Sequence, residues 1–224
     1  MRPKTLFFDI DGTLIKHVPP GNLNENVFSL LPCTIEKLHD CDRRGYNIIL
    51  TTGRRESLRS LTEAQLKKAG IFYDSLVMGI GGGQRVLVND KKPDGTQSCW
   101  IANPERDVGI KDLCFDDLVE TSKKYFDSFS KKDLKTLSEM FHEKVILKDW
   151  VVEEKGKESV LVAVEKIFKE TQKNEIKLKS YSRSGNKVFC EIIIDLGEEL
   201  LPVIDILEYD CDGFIKRITA YRGT

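Results

Sequence analysis

A chain of 224 residues with 35 basic and 36 acidic side chains has a formal net charge of -1, which argues against a nucleic-acid or anionic-membrane surface. Its length suits two compact units of roughly 110 residues each, and a hydrophobic content of 40% beside 32% charged residues supplies core material for both. The six cysteines, at 33, 41, 99, 114, 190 and 211, fall in no metal-type pairing. They are read as reduced thiols of a cytoplasmic protein, with no signal peptide and no apolar run long enough to span a bilayer.

The first predicted element is a strand over Thr5 to Phe8, running into Asp9, Ile10, Asp11, Gly12 and Thr13. Residues two apart on a strand point the same way, so Asp9 and Asp11 can address one reacting centre, and Gly12 permits a tight turn whose amides are left free for an anion. A loop with Pro19, Pro20 and Gly21 follows as a small flap carrying His17. A helix is expected from about Asn26 to Arg44, with Val27, Leu30, Leu31, Ile35 and Leu38 at helical spacing and Gly45 as its stop. A strand over Asn47 to Leu50 ends in Thr51, Thr52, Gly53 and Arg54, and a helix from about Glu56 to Ala69 stops at Gly70. The run Gly79, Gly81, Gly82, Gly83 reads as a flexible loop, and Val86 to Val88 as a third strand running into Asn89 and Asp90. This alternation predicts a Rossmann-like α/β domain over residues 1–111, with a parallel sheet covered on both faces and its site at the carboxyl ends of the strands.

The run Asp9, Ile10, Asp11, Gly12, Thr13 after an apolar strand resembles motif one of the haloacid dehalogenase-like hydrolases, most of which are phosphatases. Thr52 matches motif two and Asp90 motif four. The resemblance implies that Asp9 is the nucleophile that becomes an aspartyl phosphate and Asp11 the general acid and base. It implies a Mg2+ ion held by Asp9, Asp11 and Asp90, hard oxygen donors that favour magnesium over zinc. It also places Gly12, Thr52, Gly53 and Arg54 around the phosphoryl group. The family's motif three lysine is missing: no lysine lies between Asp74 and Asp90, and Arg85 and Lys92 are the nearest replacement cations. The short spacing between motifs leaves no room for an inserted cap. Residues 86–110 are similar to a capless subgroup associated with surface-polysaccharide and sugar-phosphate metabolism, so the expected substrate is a small phosphorylated metabolite.

After about Lys111 the pattern changes to α+β, defining a second domain over residues 112–224. A long amphipathic helix from about Phe115 to Phe141, bent near Ser130, precedes a strand at Val145 to Trp150 and a helix near Ser159 to Thr171. Strands follow at Ile176 to Ser182, Val188 to Leu196, Val203 to Tyr209 and Ile215 to Tyr221, giving a curved antiparallel meander. This order resembles the cone-shaped nuclear transport factor 2-like superfamily, including its SnoaL-like and ketosteroid isomerase branches. The resemblance sets Tyr125 on an oxyanion-hole tyrosine, Asp149 on a general base and Asp205 on a carboxylic acid kept neutral by apolar neighbours. It implies isomerase or dehydratase chemistry through an enolate. The alternative for the same residues is structural: Asp149 capping a strand end, Tyr125 anchoring a helix, Asp205 hydrogen-bonded within the sheet. A homodimer through the exposed sheet face is expected, and a non-catalytic binding protein is the third reading.

Overall fold

A computed structural model describes residues 3–24, 26 and 28–223. The chain divides into two compact units, Met1–Asn89 with Asn103–Asp112, and Asp90–Ala102 with Leu113–Thr224.

In the first unit β1 (Thr5–Asp9), β2 (Asn47–Thr51) and β3 (Ser75–Val77) form a parallel sheet in the order β1-β2-β3. The connecting helices are α1 (Thr34–Arg43) and α2 (Arg59–Ala69). Right-handed crossovers that advance in one direction put both helices on the same face of the sheet. That face carries Leu6, Phe8, Ile48 and Leu50, all buried, whereas Phe7 is 63% and Val77 42% exposed on the other. The sheet is therefore covered on one side only, because its strand order never reverses as a doubly wound sheet requires.

Two expected elements are corrected. Val86, Leu87 and Val88 form no strand and are 80%, 54% and 88% exposed; the second ladder on β2 belongs to Ser75–Val77. Three apolar residues after a glycine run have strand propensity but here find no partner ladder. The helix expected from Asn26 begins at Thr34, since Pro32 disfavours helical backbone at Leu31; Val27 lies outside the described residues. Ser29 to Leu31 instead pair back on the first turn, through Lys16 N–H to Ser29 O at 2.8 Å and Leu31 N–H to Leu14 O at 3.0 Å. The predicted flap is thereby closed at its base. Gly70 caps α2 with φ +73°, the left-handed conformation that its stop role calls for.

In the second unit α3 (Leu118–Ser130) and α4 (Leu134–Met140) replace the single long helix. The break falls at Lys132, with φ +56°, and Asp133 caps α4 by accepting from the Thr136 N–H and hydroxyl at 3.0 and 2.7 Å. β4 (Phe141–Lys148), β5 (Glu153–Lys155), α5 (Lys157–Glu170), β6 (Glu175–Ser184), β7 (Lys187–Asp195), β8 (Leu200–Tyr209) and β9 (Ile215–Arg222) complete it. The sheet order is β5-β4-β9-β8-β7-β6, and β4 runs parallel to β9, so the sheet is mixed rather than an antiparallel meander. Alternate residues of β7 and β8 point into a core shared with Leu118, Phe126, Leu137, Val160 and Val164. Residues 90–102 fold onto this unit: Gly185 N–H donates to Ile101 O at 2.7 Å, and the buried Arg183 guanidinium lies 3.7 Å from the Trp100 ring centre. No helix among the described residues is long and apolar enough to cross a membrane.

Candidate functional site

In the first unit the carboxyl ends of β1 and β2 bring together residues far apart in sequence. Asp9 ends β1 opposite Thr51, and Thr52 follows β2 with its N–H on Val77 O at 3.0 Å. The Thr52 hydroxyl lies 3.4 Å from Asp11 Oδ2 and accepts from the Arg54 N–H at 3.1 Å. Arg54 grips Asp11 through both carboxylate oxygens, Nε to Oδ2 at 2.8 Å and Nη2 to Oδ1 at 2.7 Å. Its Nη1 donates to Thr62 Oγ1 at 3.2 Å and Gln65 Oε1 at 2.6 Å. With its side chain 5% exposed, Arg54 braces Asp11 and is not open to a phosphate as expected, because its fork is spent inside the unit.

Arg85 Nη2 donates to Asp9 Oδ1 at 2.9 Å. The Lys92 N–H closes a turn on Thr96 O at 2.9 Å within the second unit. Asp90 also belongs to the second unit, where its carbonyl accepts from the Ser98 hydroxyl. Among the described residues no group of three His, Cys, Asp or Glu is placed to hold a metal ion. Of the three carboxylates expected to hold magnesium, Asp9 and Asp11 lie in the first unit and Asp90 in the second. What the first unit offers is sparser: Asp11 is committed to Arg54, while the Asp9–Arg85 pair is exposed, 28% and 47%, and so weakly held. Magnesium commonly binds through one or two carboxylates with water and substrate phosphate filling the rest, and Asp9 alone suits that form.

Glycines do specific work here. Gly12 has φ +89°, and a side chain would meet Arg106 Cγ at 3.0 Å. Its carbonyl accepts from the Asp107 N–H at 2.8 Å, and Asp107 Oδ1 in turn accepts from the His17 N–H at 2.7 Å, fixing the start of the flap. A Cβ on Gly53 would lie 3.0 Å from Gly81 O, so the glycine run packs against the turn after β2 instead of hanging free. Sequence reasoning missed Thr62 and Gln65. Both are buried on the apolar side of α2 beside Leu66, and polar residues at core spacing were the available signal.

In the second unit Tyr125 on α3 and Asp205 on β8 are buried, at 3% and 7% exposure. Neither hydrogen-bonds to a described residue, although no fully enclosed side-chain N or O among the described residues lacks a partner, so both polar tips are incompletely enclosed. Burial, and then the charge of Asp149, push the Asp205 carboxyl up to about 7. Burial, followed by Asp205, raises the Tyr125 phenol well above its ordinary value. Asp149 acts as a turn cap: its Oδ1 accepts from the Val151 and Val152 N–H groups at 2.6 Å each. The three residues aligned by sequence thus share one electrostatic environment, with Asp149 at its polar edge.

This has a consequence for stability. The folded chain holds the Asp205 proton between the ordinary 3.8 and about 7, where the unfolded chain has lost it. Stability therefore falls as pH rises through that window and levels off above it, by roughly 4 kcal/mol in total. Asp205→Asn is expected to flatten this limb and to raise the unfolding midpoint at pH 8 but not at pH 4, measured by thermal denaturation.

No family model and no curated protein matches the chain. Solved structures similar to it include a putative ketosteroid isomerase from Kribbella flavida, at 17% identity and TM-score 0.43, covering 48% of this chain and 78% of that one. A SnoaL-like protein from Burkholderia thailandensis is 10% identical with TM-score 0.44, covering 48% and 94%. A nuclear transport factor 2-like protein from Mesorhizobium loti is 12% identical with TM-score 0.44, covering 55% and 99%. Each spans about half of this chain, and at these identities and scores the chemistry of those proteins does not transfer.

Proposed function

We propose that the first unit is a phosphatase that transfers the phosphoryl group of a small phosphorylated metabolite to Asp9. The observation that carries this reading is the convergence, at the carboxyl ends of two parallel strands, of a half-exposed carboxylate, a threonine hydroxyl and an arginine drawn from separate parts of the chain. Asp9 attacks phosphorus, the ester P–O bond breaks and the alcohol departs with a proton; water then cleaves the acyl phosphate, releasing phosphate and restoring the carboxylate. Arg85 offsets charge on the transferring group, and Thr52 is within reach to donate to it. Asp11 is the proposed proton carrier, which requires Arg54 to release one of its oxygens. Magnesium, when bound at Asp9, would supply further charge neutralisation to the phosphoryl oxygens.

The test is phosphate release by the full chain from a panel of phosphomonoesters, sugar phosphates included, in magnesium and in EDTA. Release that depends on magnesium is expected, and no release from any ester overturns the reading. Arg85→Ala is expected to lower kcat/KM by about 10- to 100-fold, since one charge-stabilising donor is lost while Asp9 remains.

A second reading is favoured by the buried Asp205 carboxyl beside Tyr125. A neutral acid and a phenol that share one electrostatic environment would both be able to donate to a developing enolate, with Asp149 as base. Turnover of an enolisable ketone that survives Asp9→Asn and disappears in Asp149→Asn would select it.

A further inference from the structure

We infer that Gln65 is a positioning residue for the proton carrier of the first unit, holding Asp11 through Arg54 with one end of its amide and the flap after β1 with the other. The inference rests on the phosphatase reading proposed above. Gln65 lies in the middle of α2 and is 1% exposed. Its Oε1 accepts from Arg54 Nη1 at 2.6 Å, and its Nε2 donates to Asn24 O at 2.5 Å. A guanidinium only donates and a carbonyl only accepts, so the amide is fixed in this one orientation.

These bonds close a circuit: Asp11 to Arg54, Arg54 to Gln65, Gln65 to Asn24, and back along the flap to Asp11. An interior amide costs desolvation that an apolar residue beside Leu66 avoids, and the cost is offset only when both of its ends are bonded. Arg54 Nη1 has a second acceptor on α2 in Thr62, at 3.2 Å, but the shorter bond to Gln65 sets the plane of the fork that meets both Asp11 oxygens. One turn further along α2 the exposed Lys68 donates to Asn26 Oδ1 at 2.6 Å, where water competes. In the proposed reaction Asp11 gives its proton to the leaving oxygen as the ester P–O bond breaks, which requires that carboxyl to be held within hydrogen-bond reach. An alkoxide departs readily only with that proton, whereas p-nitrophenolate departs without it. The orientation of Asp11 is therefore read in the choice between the two leaving groups.

The test measures kcat/KM of the full chain on p-nitrophenyl phosphate and on the alkyl phosphate that the wild type cleaves fastest, beside hydrogen exchange over residues 16–24. Gln65→Leu removes both ends of the tie: the alkyl ester is expected to lose about tenfold more than the nitrophenyl ester, and the flap amides to exchange about fivefold faster or more. Gln65→Glu keeps an acceptor for Arg54 but faces Asn24 O with an oxygen, so it is expected to retain the wild-type ratio between the esters while the flap exchanges faster. That variant keeps the inference falsifiable should Gln65→Leu fail to fold. Equal losses on both esters in Gln65→Leu, a ratio in Gln65→Glu as altered as in Gln65→Leu, or unchanged flap exchange in Gln65→Glu overturns the inference and leaves the phosphatase reading standing. A wild type that cleaves no alkyl phosphate overturns the inference, and one that cleaves neither ester overturns the phosphatase reading as well.

Discussion

Asp9→Asn is expected to abolish phosphate release from every ester the wild type cleaves, by at least about a thousandfold, because an amide cannot form the acyl phosphate of the proposed reaction. The Asp9 side chain is 28% exposed and its ion pair with Arg85 is exposed as well, so the substitution leaves the unit's packing intact. Unfolding midpoints of variant and wild type should agree within a degree or two, which separates lost chemistry from lost structure. A variant that keeps more than a few per cent of the activity would remove Asp9 from the reaction.

Arg54→Ala is expected to act in the opposite manner, on the fold first. Its guanidinium is 5% exposed and joins the turn after β1 to α2 through Asp11, Thr62 and Gln65. Truncation strands a carboxylate that is 18% exposed and leaves the Gln65 carbonyl without its 2.6 Å donor. Loss of one partner from such a pair costs about 2–4 kcal/mol. Arg54→Lys should recover little of this, since a single ammonium cannot span both Asp11 oxygens and reach α2 as well. Hydrogen exchange at β1 and β2 measures the effect within the first unit, and unchanged protection there would show that the brace is dispensable.

Much of this arrangement was legible in the sequence where local chemistry decides it. The strands read over Thr5 to Phe8 and Asn47 to Leu50 follow from short continuous apolar runs and extend one residue further, to Asp9 and Thr51, and the stops at Gly45 and Gly70 follow from the positive φ that glycine allows. Asp205 reads as an inward carboxyl from its neighbours Ile204, Ile206 and Leu207, whereas the strand sets it on the buried face with Val203, Leu207 and Tyr209 and turns Ile204 outward. What was not legible depends on partners distant in the chain. Arg54 looks like a phosphate ligand until Asp11, Thr62 and Gln65 are seen to consume its donors. Val86 to Val88 has the composition of a strand, but strand formation needs a neighbour, and the ladder on β2 is taken by Ser75–Val77. The parallel pairing of β4 with β9 joins segments separated by most of the second unit, a contact no local pattern encodes. Pro32 was a local signal that outweighed the apolar periodicity around it.

The most direct measurement is to quench the chain with acid during turnover of a phosphomonoester and locate the phosphoryl group by peptide mass spectrometry. The account predicts a labile phosphoryl group on the peptide containing Asp9, absent from Asp9→Asn. Phosphate release with the label on another residue, or with Asp9→Asn turning over as fast as the wild type, would contradict it.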